Sequence, residues 1–145
     1  MLVSFSVSNL LSFSSEATFS LVASNRLTAS HADHAVPIPD SDEKVLRAAV
    51  LYGANGAGKS NLFKAIRFLK SIALRTRAKN SGTRRTPFRF GDWPKRASEL
   101  DLQFIAEGKL FRFGVKLDDD RNGLFRLLEG ERRHSMSEQR TPVER

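Results

Sequence analysis

Two short segments near the N-terminus alternate apolar and polar residues, which is the pattern of a strand with one buried face. In residues 3–8, valine and phenylalanine alternate with serine, and residues 17–21 alternate again. Residues 9–15 break the pattern between them, so we predict an antiparallel pair of strands. Residues 24–44 are polar, contain two prolines and show no period, and are predicted to form a surface loop.

In the middle of the chain, a short apolar run is followed by a segment whose apolar residues recur at helical spacing. Residues 45–52 are mostly apolar and predict a strand. After a glycine-rich stretch, apolar residues recur at helical spacing; they are Leu62, Phe63, Ile66, Leu69 and either Ile72 or Ala73. This order predicts a strand, a loop and a helix that ends near residues 75–77.

A second pair of alternating runs lies in residues 99–117, where Glu107 and Gly108 separate them. Two such runs around a short turn that contains glycine predict a β-hairpin. Residues 124–128 predict one further strand.

Two segments of the C-terminal half carry no strand or helix pattern. Residues 76–96 are basic and contain glycine and proline, so they are predicted to form a long loop. Residues 129–145 hold too few large apolar residues to remain ordered, and we predict a polar, disordered tail. The predicted folded unit is therefore residues 1–128.

The glycine-rich stretch between the predicted strand and helix has the form of a phosphate-binding loop, G-x-x-x-x-G-K-S/T. Its glycines let backbone N–H groups approach phosphate oxygens closely, and the positive end of the following helix adds to the attraction. Lys59 is expected to reach the β- and γ-phosphates, and the Ser60 hydroxyl to bind Mg²⁺. The predicted ATP and Mg²⁺ site consists of Gly53, Ala54, Asn55, Gly56, Ala57, Gly58, Lys59, Ser60 and Asn61.

Composition narrows the class of protein. The 145 residues are 40% hydrophobic, which suits one globular domain with its own core. There is no cysteine, so disulfide frameworks and thiolate metal sites are excluded, and a reducing cytoplasm is the expected location. The N-terminus lacks a signal-peptide pattern and no segment has the length of a membrane span, so no membrane association is expected.

The net charge of +8 is concentrated in residues 64–96, the basic window. This window contains eleven basic residues against one acid, Asp92. A patch of this kind indicates contact with nucleic acid or another polyanion, although a solvated helix face followed by a basic loop would look the same. The basic residues are Lys64, Arg67, Lys70, Arg75, Arg77, Lys79, Arg84, Arg85, Arg89, Lys95 and Arg96.

Residues 1–24 (MLVSFSVSNLLSFSSEATFSLVAS) and 48–66 (AAVLYGANGAGKSNLFKAI) together resemble the start of the ABC/SMC-like ATPase heads. The similarity is greatest to the AAA family of phage-defence and abortive-infection ATPases, which includes relatives of the OLD nucleases and of the Septu ATPase. The Asn-Gly pair inside the loop and Asn61 after its serine match the GxNGxGKSN form of that group. Residues 87–90 (PFRF) and the predicted hairpin resemble the family's continuing β-lobe, so the similarity covers most of residues 1–118.

The resemblance implies an α/β fold, namely the N-terminal lobe of a P-loop NTPase of the ABC/SMC-like head type. Antiparallel strands and a phosphate-loop strand–helix unit would build this lobe. It further implies Mg-ATP binding, ATP hydrolysis as the family's activity, and either a nuclease partner or a homodimer.

Two elements that hydrolysis requires in such heads are missing from the sequence. These are a Walker B strand, with four apolar residues before Asp-Glu, and a signature motif. The nearest candidate, at residues 115–119, has a lysine in its apolar run and belongs to the predicted hairpin. No catalytic residue is therefore assigned in this chain. Two alternatives stay open: a nucleic-acid-binding module with a vestigial loop, and a non-functional truncated ATPase.

Overall fold

The computed structural model describes residues 1–24, 32–74, 85–118 and 124–129, the last of these as backbone only. The strands within these residues are β1 (Leu2–Ser8), β2 (Ala17–Ser20), β3 (Ala35–Pro37), β4 (Lys44–Leu46), β5 (Ser98–Ala106), β6 (Lys109–Leu117) and β7 (Leu124–Glu129). The helices are α1 (Lys59–Leu74) and two 3₁₀ turns, Ala32–His34 and Trp93–Lys95. No helix in this part of the chain has the length and apolar character needed to cross a bilayer.

Five strands form one antiparallel sheet in the order β2-β1-β5-β6-β7. The pair β1–β2 is the antiparallel pair that the alternating pattern predicts, and β5–β6 is the predicted hairpin. Glu107 and Gly108 form its two-residue turn with φ angles of 49° and 73°. This left-handed pair matches the twist of the strands, which explains how so short a turn closes the hairpin.

Helix α1 covers one face of this sheet and completes the main core. Phe5 and Val7 of β1 are fully buried, since every second residue of a strand points to the same face. The helix meets that face with residues three and four positions apart, which form one stripe of its surface. The buried core consists of Phe5, Val7, Leu10, Leu62, Ala65, Leu69, Ile72, Leu100, Val115 and Leu117.

The predicted strand over residues 45–52 is wrong for most of its length. The observed strand β4 ends at Leu46 and pairs with β3, and residues 48–52 belong to neither sheet. Val50 and Tyr52 are 87% and 89% exposed. A strand needs a neighbouring backbone to satisfy its N–H and C=O groups. No such neighbour is present for these residues within the described chain.

The predicted surface loop over residues 24–44 is also only partly right. Its described part contains the 3₁₀ turn and β3, and Ile38 is buried against Val3 and Val45 in a second, smaller core cluster. Short elements of three residues have too few positions to show a period, so the pattern missed them. Residues 25–31 lie outside the described residues.

A buried asparagine organises the segment before β5. The Asn9 side chain is 1% exposed and lies at the end of β1. Its Nδ2 donates to the carbonyl oxygens of Trp93 and Arg96, both at 2.7 Å, and its Oδ1 accepts from the Phe88 backbone N–H at 3.1 Å. The described part of the predicted long loop is therefore fixed against the sheet. Of the predicted tail, residues 129–145, only Glu129 is described, and it ends strand β7; residues 75–84 and 130–145 lie outside the description.

We expect Asn9→Ala to lower the free energy of unfolding by about 3 kcal/mol, because it leaves partly buried backbone groups unpaired and puts alanine at a positive φ of 48°. The exposed Asp40 has a similar φ of 57°, so Asp40→Ala isolates the backbone cost, about 1 kcal/mol. Urea unfolding followed by the fluorescence of Trp93, the one tryptophan, measures both variants. Equal losses in the two variants would show that the Asn9 hydrogen bonds contribute nothing.

Candidate functional site

Residues 53–58 form a turn that returns the chain from the exposed run 48–52 to helix α1. Gly53, Gly56 and Gly58 have φ angles of 154°, 84° and 89°, which residues with a Cβ rarely adopt. The Ala57 N–H donates to the Ala54 carbonyl at 3.3 Å and tightens the turn. The loop is therefore a compact backbone surface with only small side chains near it.

The helix opens directly from this loop and points its free amides toward it. Lys59 is the first helical residue, and the first intrahelical bond of the turn runs from the Leu62 N–H to the Gly58 carbonyl at 3.0 Å. The amides of residues 59–61 precede that bond and have no carbonyl partner inside the helix. The first turn also contains no acidic residue, so its partial positive charge is not neutralised there.

The Lys59 ammonium is bound by the loop itself. Its Nζ donates to the Gly53 carbonyl at 2.6 Å and to the Ala54 carbonyl at 2.7 Å. An ammonium held by two neutral carbonyl oxygens forms stronger hydrogen bonds with an anionic phosphate oxygen. The lysine is thus positioned at the loop, with partners that an anionic ligand can replace.

The nine residues predicted as a site are consecutive in the chain, and they form one stretch around the helix start. Residues 53–57 and Ser60 are exposed, whereas Gly58, Lys59 and Asn61 are half-buried. The Ser60 hydroxyl therefore lies in solvent beside the first helical turn. This stretch combines exposed backbone donors, one cation and one hydroxyl, which is the set of groups that a phosphate with a bound divalent cation requires.

Two residues near the loop are missed by the sequence analysis. A Cβ on Gly58 would lie 3.3 Å from the Ser12 Oγ and 3.9 Å from the Phe13 ring. Both belong to the turn between β1 and β2, which Asn9 and a 2.8 Å bond from the Leu11 N–H to the Thr86 carbonyl hold in place. Their only sequence signal is the break in alternation after β1, which does not indicate what the turn contacts.

The described residues of the rejected Walker B candidate, 115–118, lie in β6 and directly after it. Lys116 belongs to β6 and pairs with Glu99 of β5 at 2.8 Å, on the polar face of the hairpin. A shallow groove of about 330 Å³ lies on that same polar face, beside Gly114. None of its lining residues belongs to the loop, and two of its three acids, Glu99 and Asp101, are already paired with Lys116 and Arg112.

The cations of the basic window differ in their contacts and exposure. The Arg85 guanidinium donates to the Arg96 and Pro94 carbonyls at 2.7 and 3.1 Å, and the Arg96 guanidinium lies 4.8 Å from the centre of the Trp93 ring. These two cations therefore contribute to the local fold. Five others are exposed, namely Lys64, Arg67, Lys70, Arg89 and Lys95. The remaining four lie outside the described residues.

Comparison with known proteins identifies one family. A family model described as "AAA domain, putative AbiEii toxin, Type IV TA system" matches residues 48–141, which is more than half of the chain. The matched region begins at the exposed run and includes the loop, α1 and the hairpin β5–β6. No curated protein and no solved structure matches the chain.

Two glycines of the loop offer a matched test of its contacts. We expect Gly58→Ala to lower the free energy of unfolding by about 1 kcal/mol more than Gly56→Ala, because only the first places a Cβ against Ser12. The two φ angles differ by 5°, so the backbone cost is nearly the same in both variants. Ser12→Gly in the Gly58→Ala background should remove the difference. Equal stability of the two alanine variants would contradict the described packing of the turn on the loop.

Proposed function

The chain belongs to this AAA domain family, and on that premise we propose that residues 53–61 bind Mg-ATP. Members of the family generally bind ATP with Mg²⁺. The observation that carries the proposal is the position of the Lys59 ammonium, held at the loop by the Gly53 and Ala54 carbonyls beside a helix start without acids. A triphosphate would offer this cation anionic partners in place of neutral ones.

Each part of the site then has one role. The loop amides and the amides of the first helical turn would donate to phosphate oxygens, and the three glycines keep side chains away from them. Lys59 would pair with the β- and γ-phosphates, and the Ser60 hydroxyl would join the shell of Mg²⁺. The metal would supply neutralisation of phosphate charge when bound. Ser12 and Phe13 would border the site at Gly58.

Hydrolysis is not assigned to groups of this chain. The sequence has no Walker B carboxylates or signature motif, and the described residues place Lys116, the lysine of the nearest candidate, in an ion pair. Transfer of the γ-phosphate needs a positioned water and stabilisation of charge, which these missing groups provide in such ATPases. We propose that this lobe holds the nucleotide, and that the P-loop unit belongs to an ABC/SMC-like head.

The family description also supports a proposal about the biological setting of this lobe. The match to a toxin and abortive-infection family supports a role in phage defence, and the cysteine-free composition supports the cytoplasm as its location. A homodimer or a nuclease partner is the assembly that we propose for this family member. These proposals concern the setting, and nucleotide binding does not depend on them.

Lys59→Ala should weaken Mg-ATP binding by about 2 to 5 kcal/mol, because it removes the cation paired with the phosphates and leaves their charge uncompensated. Isothermal calorimetry measures the affinity of the full chain. Lys64→Ala is the matched control, since it removes an exposed lysine of the same helix. Equal ATP affinity of the Lys59→Ala variant and the unaltered chain would refute the assignment.

Nucleic-acid binding through the basic window is a second candidate, favoured by the exposed cations Lys64, Arg67 and Lys70 on a helix without acids. If it holds, the logarithm of the binding constant for a labelled duplex should fall linearly with the logarithm of the salt concentration. The expected slope is about −0.9 per phosphate contact. Replacing all three by alanine should then flatten the slope by up to about three units. Arg85 is unsuitable for this test because it holds the 94–98 segment. Failure to shift a duplex or a single strand at low salt would eliminate this candidate.

A further inference from the structure

Residues 88–97, here called the arch, lead into β5 and are held at both ends by one side chain. The Phe88 backbone N–H donates to Oδ1 of Asn9 at 3.1 Å. Nδ2 of the same amide donates to the Trp93 and Arg96 carbonyls, both at 2.7 Å. The two ends of the arch therefore meet at a single buried amide, which fixes the arch to the end of β1.

Between these fixed ends, residues 89–92 project into solvent. All four are exposed, and Phe90 is exposed to 73%. The Phe90 ring meets the Phe88 ring at an angle of 62°, with 5.5 Å between the ring centroids. A ring on a loop whose ends are fixed is preorganised, because a ligand that stacks on it does not have to order the backbone first.

Three cations accompany the aromatic side chains of the arch. The Arg96 guanidinium lies 4.8 Å from the centre of the Trp93 ring, and this stacking orients its planar set of N–H donors. Arg96 is exposed, as are Arg89 and Lys95. The arch contains one acid, Asp92, so it combines a net positive charge with an exposed ring.

Charges next to the arch leave this balance unchanged. Leu117 pairs with Ser98, so Asp118 lies beside the end of the arch. Arg85 lies at the same end, since its guanidinium donates to the Arg96 carbonyl at 2.7 Å. These two opposite charges offset each other, and the surplus of the arch's own cations over its single acid remains.

We propose that the arch binds single-stranded nucleic acid, with an unpaired base on the Phe90 ring and phosphates on the three cations. Every base has a face that stacks on an aromatic ring, and the phosphates of the same strand supply the charge that the cations need. The guanidinium plane on Trp93 offers a second place for a base. The arch lies outside residues 53–61 and outside α1, and the proposal rests on neither nucleotide binding nor the cations of that helix.

The combination of a ring with cations separates this ligand from two others. A duplex offers phosphates, but its bases are paired and stacked inside it and do not reach Phe90. An acidic polypeptide offers carboxylates, which pair with cations but are not attracted to the face of a ring, because that face is itself negative. A single strand brings both a stacking face and a negative charge in every repeating unit.

Two acid-containing stretches elsewhere in the chain do not neutralise the arch. Residues 40–43 follow Ile38, which packs on Val3 near the start of β1, whereas the arch adjoins Asn9 beyond the end of that strand. Residues 129–145 contain four acids and four arginines, so they bring no net negative charge. An external polyanion is therefore the ligand that complements the arch.

The fluorescence of Trp93, the one tryptophan, reports on the arch directly. Titration of the full chain with an oligothymidine of about twelve nucleotides at low salt should quench it saturably. The logarithm of the binding constant should fall with the logarithm of the salt concentration, with a slope of about −0.7 per phosphate contact. Unchanged fluorescence, together with an unshifted labelled oligonucleotide, would overturn the proposal.

Replacement of the exposed ring separates stacking from apolar contact. Phe90→Leu keeps an apolar side chain but removes the ring, and should weaken binding by about tenfold or more. Phe90→Tyr keeps a ring and should bind within about threefold of the unaltered chain. Phe63→Leu is the matched control, because Phe63 is 59% exposed on α1. Equal affinity of the Phe90→Leu variant and the unaltered chain contradicts stacking on the arch.

Two exposed cations of the arch test the phosphate contacts. Arg89→Ala with Lys95→Ala should flatten the salt slope by about one unit or more, because two contacts are lost. Arg47→Ala with Lys109→Ala removes the same charge from exposed residues outside the arch, and should leave the slope unchanged. Equal flattening in both double variants would show an effect of net charge alone, and the proposal would fall.

Two further results would assign the binding elsewhere. A polyglutamate of the same length carries the charge without the bases, and should bind at least about tenfold more weakly than the oligothymidine. Equal binding would assign the arch to acidic polypeptides and overturn the proposal. Quenching that survives Phe90→Leu but is lost when Lys64, Arg67 and Lys70 are replaced by alanine would assign the strand to α1, with the same consequence.

The accessibility of position 90 tests whether further chain covers the arch. The chain has no cysteine, so Phe90→Cys introduces a single thiol. Its reaction with a maleimide should proceed within about tenfold of the rate in urea, where the thiol is fully exposed. A slower reaction would show that other residues cover the arch, and would refute an open binding surface. Calorimetry with Mg-ATP is independent of these results, so failure of the arch and failure of nucleotide binding are distinguishable.

Discussion

The side-chain amide of Asn9 is the interaction on which the site's surroundings depend. It joins the end of β1 to the backbone of Trp93, Arg96 and Phe88, three groups about 80 residues away along the chain. The Ser98 hydroxyl adds a hydrogen bond to the Asn9 carbonyl. A buried amide that is satisfied on both its donor and acceptor sides fixes geometry, because each lost bond leaves a backbone group unpaired. A Cβ at Gly58 would lie nearest to Ser12 and Phe13 of the turn that follows Asn9, so this turn borders the loop.

Elements with many residues and a clear period could be predicted from the sequence. The helix α1, the pair β1–β2 and the hairpin β5–β6 all follow from apolar spacing, and the loop before α1 is recognisable from its glycines and Lys59. The contact of Ser12 with Gly58 could not be predicted, since it depends on how distant segments meet. Asn9 has no local signal either, because a polar residue at the end of a strand is ordinary in a sequence.

The wrong strand prediction over residues 45–52 and the uneven basic window share one physical reason. Apolar composition favours a strand, but a strand forms only where a partner backbone is available. The pairing of β4 with β3 ends at Leu46. Net charge counts cations, yet it cannot show that Arg85 donates to the Arg96 and Pro94 carbonyls. In both cases the structure depends on partners that composition and period do not encode.

The central claim is that a nucleotide is held by the backbone of the loop and the first turn of α1. Titration of the isotopically labelled chain with Mg-ATP, followed through its backbone amide resonances, tests this claim most directly. We expect saturable shifts at residues 53–61, with smaller ones at Ser12 and Phe13 and none at Asp101 and Arg112 on the polar face of the sheet. Shifts that are absent from residues 53–61, or that cluster on the polar face, would contradict the claim.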